Sequence, residues 1–190
     1  MSLEPDLVAI VVDALAAPQD AGLDHAAGAG SAQRLRAELR AIARRWVAAT
    51  APGMAYEATS PAAAFAALGD HHGPVVLVAP DVPRLSAGHA QAVRADLEAG
   101  VGMVIGPTHD RRPYLVAFAA PDLELLEAAT DHWDALTALA ATRGLDVSIL
   151  RAERRLVSAA DARAIALDPL ASSALTDELR LLRELGRTGP

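Results

Sequence analysis

The chain has 190 residues, a formal net charge of −7 at pH 7 and no cysteine. The negative balance argues against nonspecific binding of DNA or RNA, the missing cysteines exclude disulfides and thiolate metal sites, and no run of about 18 apolar residues is present to span a membrane. All 17 basic residues are arginine, so neither a lysine Schiff base nor a lysine clamp on phosphate can form.

The length suits one domain over 1–190 with a full core. The N-terminus carries no basic region followed by a long apolar segment, so the expected location is the cytoplasm. In chain order, Leu7-Val8-Ala9-Ile10-Val11-Val12 reads as a buried strand. The small-residue segment 26–31 has no phosphate-loop spacing and reads as a flexible connection. Residues 31–50 form a helix, because Leu35, Leu39, Ile42 and Trp46 share one face. Arg34, Arg36, Arg40, Arg44 and Arg45 lie mostly on its other side, where they read as a solvated face, with anion binding as the alternative. Residues 54–57 form a short strand, and Ser60-Pro61 caps and opens a helix to Leu68.

His71-His72 then leads into the strand on which the reading turns, Val75-Val76-Leu77-Val78-Ala79, closed by Pro80-Asp81-Val82-Pro83. An unbroken apolar run bounded by prolines suits a strand covered on both faces. Asp81 therefore stands at a carboxyl strand end, the edge where open α/β sheets bind ligands. There it either holds a divalent cation carrying a nucleotide diphosphate or makes an Asx turn and caps the following helix. Ser86 caps a helix over 86–99, with Ala90, Val93 and Leu97 inward. Strands at 102–107 and 114–118 flank the polar turn Thr108-His109-Asp110-Arg111-Arg112-Pro113, so a hairpin is expected and the sheet is mixed. Helices follow at 121–129 and 131–143, then a short strand at 146–150. Ser158 to Asp161 resembles a capping box for a helix ending near Leu167. A final amphipathic helix at 176–185 shows Leu175, Leu179 and Leu182 on one face, and residues 186–190 are expected to fray. The alternation of strands and helices predicts a three-layer α/β/α sandwich with a mixed, mostly parallel sheet.

Ala79-Pro80-Asp81-Val82-Pro83-Arg84-Leu85-Ser86 and Gly106-Pro107-Thr108-His109-Asp110-Arg111-Arg112-Pro113-Tyr114-Leu115-Val116-Ala117 resemble two motifs of one family. These read roughly G-x-D-x-P-x-L-[ST] and G-P-x-x-D-G-G-Y-Y-L-[IV]-G. The family comprises small bacterial glycosyltransferase-like proteins of the glycosyltransferase A-type, or nucleotide-diphospho-sugar transferase, superfamily. It is similar to the molybdenum-cofactor and phospholactate nucleotidyltransferases. The match covers residues 73–118. The resemblance implies a nucleotide or nucleotide-sugar partner, catalytic roles for Asp81 and Asp110, and Mg²⁺ or Mn²⁺ on Asp81.

The chain departs from the family at three places. The basic K-T-R-L-like motif after the first strand is missing, since 13–30 contains no lysine or arginine. The family's Gly-Gly is Arg111-Arg112. Of the late D-x-D-T-P-x-D segment only Asp161 survives, at 155–161. One reading makes this a divergent nucleotide-sugar or nucleotidyl transferase in which Arg111 and Arg112 bind the cofactor's phosphates. The alternative keeps the fold without catalysis, as a binding or assembly module. A homodimer formed through the arginine- or leucine-rich helices is a third.

Overall fold

The computed structural model describes residues 7–18, 23–24 and 27–187. Its strands are β1 (Val8–Val12), β2 (Ala55–Ala58), β3 (Val75–Val78), β4 (Met103–Pro107), β5 (Pro113–Phe118) and β6 (Val147–Ile149). The helices are α1 (Ala29–Thr50), α2 (Pro61–Leu68), α3 (Ala87–Glu98), α4 (Leu123–Ala128), α5 (Trp133–Thr142), α6 (Ala159–Ile165) and α7 (Ser173–Arg187). A 3₁₀ turn, Asp13–Leu15, follows β1 directly.

The strands form one six-stranded sheet in the order β2-β1-β3-β5-β4-β6. β1 pairs in parallel with β2 and β3, and β4 pairs in parallel with β6. β5 runs against both β3 and β4. The expected hairpin is present, but it folds so that β5 lies between β3 and β4. The carboxyl ends of β1, β2, β3, β4 and β6 therefore share one edge, and the β4–β5 turn lies on that edge too. Five separate loops leave the sheet there. This is the geometric basis of the site described below.

The apolar runs behave as a doubly covered sheet requires. Every residue of β1, β3 and β5 is buried, whereas the edge strands β2 and β6 are half-exposed. α2 packs on β1 and β2 and then on α4, with α5 against α4 and β4. α1 packs on β1 and β2 and touches α3, which packs on β4. A second cluster sits outside α1, where Leu35 and Leu39 meet Leu156, Ile165, Leu175 and Leu179. α6 and α7 thus cover the far side of α1. The architecture is the expected three-layer α/β/α arrangement with a mixed sheet.

Local signals hold where a cap decides the boundary. Ser60 Oγ accepts from Ala63 N–H at 3.2 Å at the start of α2, with Pro61 following. Ser158 and Asp161 form the reciprocal capping box that opens α6. Elsewhere boundaries move. α1 begins at Ala29, after Gly28 at φ 74°, so the end of the expected flexible connection is already helical. α7 begins three residues before the expected 176 and reaches Arg187. The side chain of Leu182 and the last of the expected frayed residues, 188–190, lie outside what the structure describes.

Candidate functional site

Asp81 lies just past the end of β3, on the edge where the loops converge. Each of its carboxylate oxygens accepts a hydrogen bond. Oδ2 accepts a hydrogen bond from the Ala17 backbone N–H at 2.8 Å, in the loop after β1. Oδ1 accepts from Arg155 Nη1 at 2.5 Å, beyond β6. The Asp81 carbonyl accepts from Leu156 N–H at 3.0 Å. Asp81 does not cap the next helix; Ser86 does, in a capping box with His89.

Arg155 is the centre of this arrangement, and its side chain is only 3% exposed. Besides Asp81, Nη1 donates to the Leu15 carbonyl at 2.9 Å and Nη2 to the Pro113 carbonyl at 2.7 Å. Nε lies 3.6 Å from Asp110 Oδ2 and makes no hydrogen bond. Asp110 is held in turn by the Thr108 hydroxyl and by the Arg112 backbone N–H at 3.2 Å. Asp81 and Asp110 thus face the same guanidinium. No feature of the run Arg154-Arg155-Leu156 marks Arg155 in advance, because its partners come from three other loops.

Arg111 and Arg112 are placed differently from the expectation. Arg111 sits at φ 69° in the turn, and its exposed guanidinium pairs with Asp134 near the start of α5. Neither arginine is among the residues lining the cleft at Asp81. The two arginines that stand where the family has Gly-Gly thus border no part of that cleft. Turn geometry and the Asp134 pair direct Arg111 outward instead.

That cleft measures about 310 Å³ and is lined by Asp13, Ala17, Arg36, Arg40 and Asp81 among others. Its cations come from α1, whose arginines were expected to be a solvated face. Arg40 pairs with Asp13 and, at 3.1 Å, with Glu57 of β2. Arg36 pairs with Asp24 at 2.8 Å. Helical spacing of four puts Arg36 and Arg40 on one side of α1, and the sheet order turns that side toward the carboxyl edge. The bonds of Arg44 and Arg40 hold the Glu57 carboxyl below the usual carboxylate range.

A larger hollow of about 760 Å³ lies on the other side of the β3–α3 loop, lined in part by Trp46, Arg84, Ser86, His89, Arg151 and Glu153. Glu153, with its side chain 5% exposed, faces His89 Nε2 at 3.5 Å and Arg84 and Arg151 Nε at 3.9 Å. His89 Nδ1 accepts from Ser86 N–H at 3.2 Å, which assigns the ring proton to Nε2, toward Glu153. Burial lowers the His89 pKa and outweighs the attraction of Glu153. Tyr114 packs edge-on against His89 with ring centroids 5.8 Å apart, and burial raises the pKa of its phenol.

A divalent cation fits the Asp81 side poorly. Hard cations need several oxygen donors with no competing cation beside them, yet each Asp81 oxygen already accepts a hydrogen bond and the Arg155 guanidinium stands between Asp81 and Asp110. Among the described residues, no group of three or more His, Asp or Glu side chains is placed to hold a metal. No described helix is long and apolar enough to cross a membrane.

No family model and no curated protein matches the chain. A solved structure does. A candidate nucleotide-diphospho-sugar transferase from Desulfovibrio desulfuricans superposes with a TM-score of 0.69 over 97% of this chain and 98% of that chain, at 17% identity. The chain has the nucleotide-diphospho-sugar transferase fold. At that identity the likeness concerns the fold. The cleft residues named above are this chain's own.

Proposed function

We propose that the protein binds a nucleoside diphosphate or nucleotide-sugar in the cleft between the loops after β1 and β3, as a divergent transferase of its fold. The observation that carries this reading is the place of the cleft. It lies at the carboxyl edge of parallel strands, where such sheets take ligands, and α1 supplies Arg36 and Arg40 to its wall. Guanidinium groups match phosphate oxygens in pairs. Asp13 and Asp81 would repel a diphosphate if they stood free; Arg155 neutralises Asp81, and Arg40, shared by Asp13 and Glu57, would exchange a carboxylate partner for the phosphate on binding. The volume of about 310 Å³ is at the small end for a ligand pocket. It suits the diphosphate and part of the nucleoside, with the neighbouring hollow of about 760 Å³ left for the group or acceptor beyond.

The binding test is a thermal-shift and calorimetric screen of UDP, GDP, CDP and their sugars. A ligand that binds only the folded state raises the melting temperature by mass action, by about 2.7 kcal/mol of stability at a hundred times Kd. Arg40→Gln, which removes one cleft cation, is expected to weaken binding about tenfold. Absence of any shift at millimolar nucleotide overturns the reading.

A second reading has its own observation. The carboxylate of Asp81 is already occupied by Arg155 and Ala17, so the cleft can hold a ligand without taking part in transfer. On this reading the protein is a binding or assembly module. Nucleotide binding with no release of free nucleotide, across a panel of hydroxyl and phosphate acceptors, would select it.

A further inference from the structure

Four groups face the Arg155 guanidinium, and all four present oxygen. They are Asp81 Oδ1 at 2.5 Å, the Leu15 carbonyl at 2.9 Å, the Pro113 carbonyl at 2.7 Å and Asp110 Oδ2 at 3.6 Å. Two carboxylates and two carbonyls are the donor types that hard cations take. They come from the loop after β1, the loop after β3, and the β4–β5 turn with the first residue of β5. We infer that this is an oxygen cage closed on a built-in cation: Arg155 occupies the volume of a divalent metal, and the protein binds its diphosphate without one.

Three observations support the assignment. The guanidinium is buried, so its charge is not screened by water. Its Nε lies 3.6 Å from Asp110 Oδ2 and is without a hydrogen bond, as expected where a planar fork meets acceptors that do not match its shape. The two ends of the fork that do bond reach Leu15, Pro113 and Asp81, and so tie together three loops of this sheet edge, two of which border the cleft. A metal ion entering the cage would have to displace these bonds and sit against a fixed positive charge. The diphosphate part of the inference rests on the nucleotide-binding reading above. The cage itself does not.

The first experiment uses Mn²⁺ alone, titrated into the full chain and followed by electron paramagnetic resonance. Wild type is expected to show no saturable site at this edge. Arg155→Ala should create one, at least tenfold tighter than anything in wild type, and Asp81→Asn in the same background should remove it. Saturable Mn²⁺ binding to wild type that Asp81→Asn abolishes overturns the inference, as does a folded Arg155→Ala protein that binds no Mn²⁺. Should Arg155→Ala fail to fold, nucleotide titration of wild type in EDTA and in Mn²⁺ decides. Equal melting-temperature shifts uphold the inference, and a shift only with Mn²⁺ overturns it. No shift in either condition rejects the nucleotide reading instead, and the wild-type Mn²⁺ titration then judges the cage alone.

Discussion

Tyr114 lies so close over Gly106 that a Cβ placed on the glycine would fall 2.6 Å from Tyr114 Cζ. The two residues face each other across the β4–β5 hairpin, with Gly106 in register beside Leu115. The ring occupies the space a side chain would need. Its hydroxyl donates to the Arg151 carbonyl at 3.3 Å and so tethers the loop that carries Glu153 and Arg155.

Gly106→Ala is therefore expected to destabilise the protein by about 1–3 kcal/mol, the usual cost of forcing an extra methyl into a filled core. Because the clash is with one ring, Tyr114→Leu in the same chain should recover part of that loss. Urea unfolding of the two single variants and the double variant measures the coupling. A double variant as unstable as the sum of the singles would show that the strain lies elsewhere.

Asp81→Ala is expected to cost about 3–5 kcal/mol, because it strands the buried Arg155 charge. It also leaves the Ala17 amide without its partner. A lost ligand shift in this variant therefore does not identify Asp81 as a ligand-binding residue. An Arg36 variant is the cleaner probe, since it breaks one partly exposed pair with Asp24, whereas an Arg40 variant also frees the Asp13 carboxylate in the cleft. Denaturant midpoints recorded without ligand check the magnitude.

His89 makes stability depend on pH. Its folded-state pKa is lowered, chiefly by burial, so below the unfolded value of about 6.5 the unfolded chain binds a proton that the folded chain resists. The contribution is present above about pH 6.5 and is lost as the pH falls toward the folded pKa. Melting temperatures taken from pH 7.5 downward should decline through this window, and His89→Gln should flatten the decline. Glu57 adds a loss of the same sign at lower pH, below about 4.3, since its carboxyl is held down by Arg44 and Arg40.

Arg111→Ala is expected to leave nucleotide binding unchanged and to cost under about 1 kcal/mol, because its pair with Asp134 is exposed. Calorimetry against the same nucleotide used for Arg40→Gln makes the comparison. A tenfold loss on Arg111→Ala would bring that turn back into the binding surface.

The strands were legible because their cause is local. The apolar runs at 7–12 and 75–79, six and five residues long, need no partner to be recognised; the first is bounded by Asp6 and Asp13 and the second by Gly73-Pro74 and Pro80. The capping box of Ser158 and Asp161 was legible for the same reason, as its two halves are three residues apart. The position of Asp81 at a carboxyl strand end followed from Pro80 and Pro83 alone.

What the carboxylate does there was decided by the tertiary structure. Arg155 is 74 positions away from Asp81, and Ala17 is 64. They meet Asp81 because β5 folds back between β3 and β4 and β6 pairs alongside β4, which gathers the loop ends on one edge. Strand order is set by packing among distant elements, which local patterning does not encode. The ion pairs follow strand order, so the aspartate that in sequence reads as either a metal ligand or a turn residue is held by an arginine in the fold. The arginines of α1 illustrate the point from the other side. Their spacing fixes which of them share a face, and only the sheet beneath them determines that Arg36 and Arg40 look into the cleft.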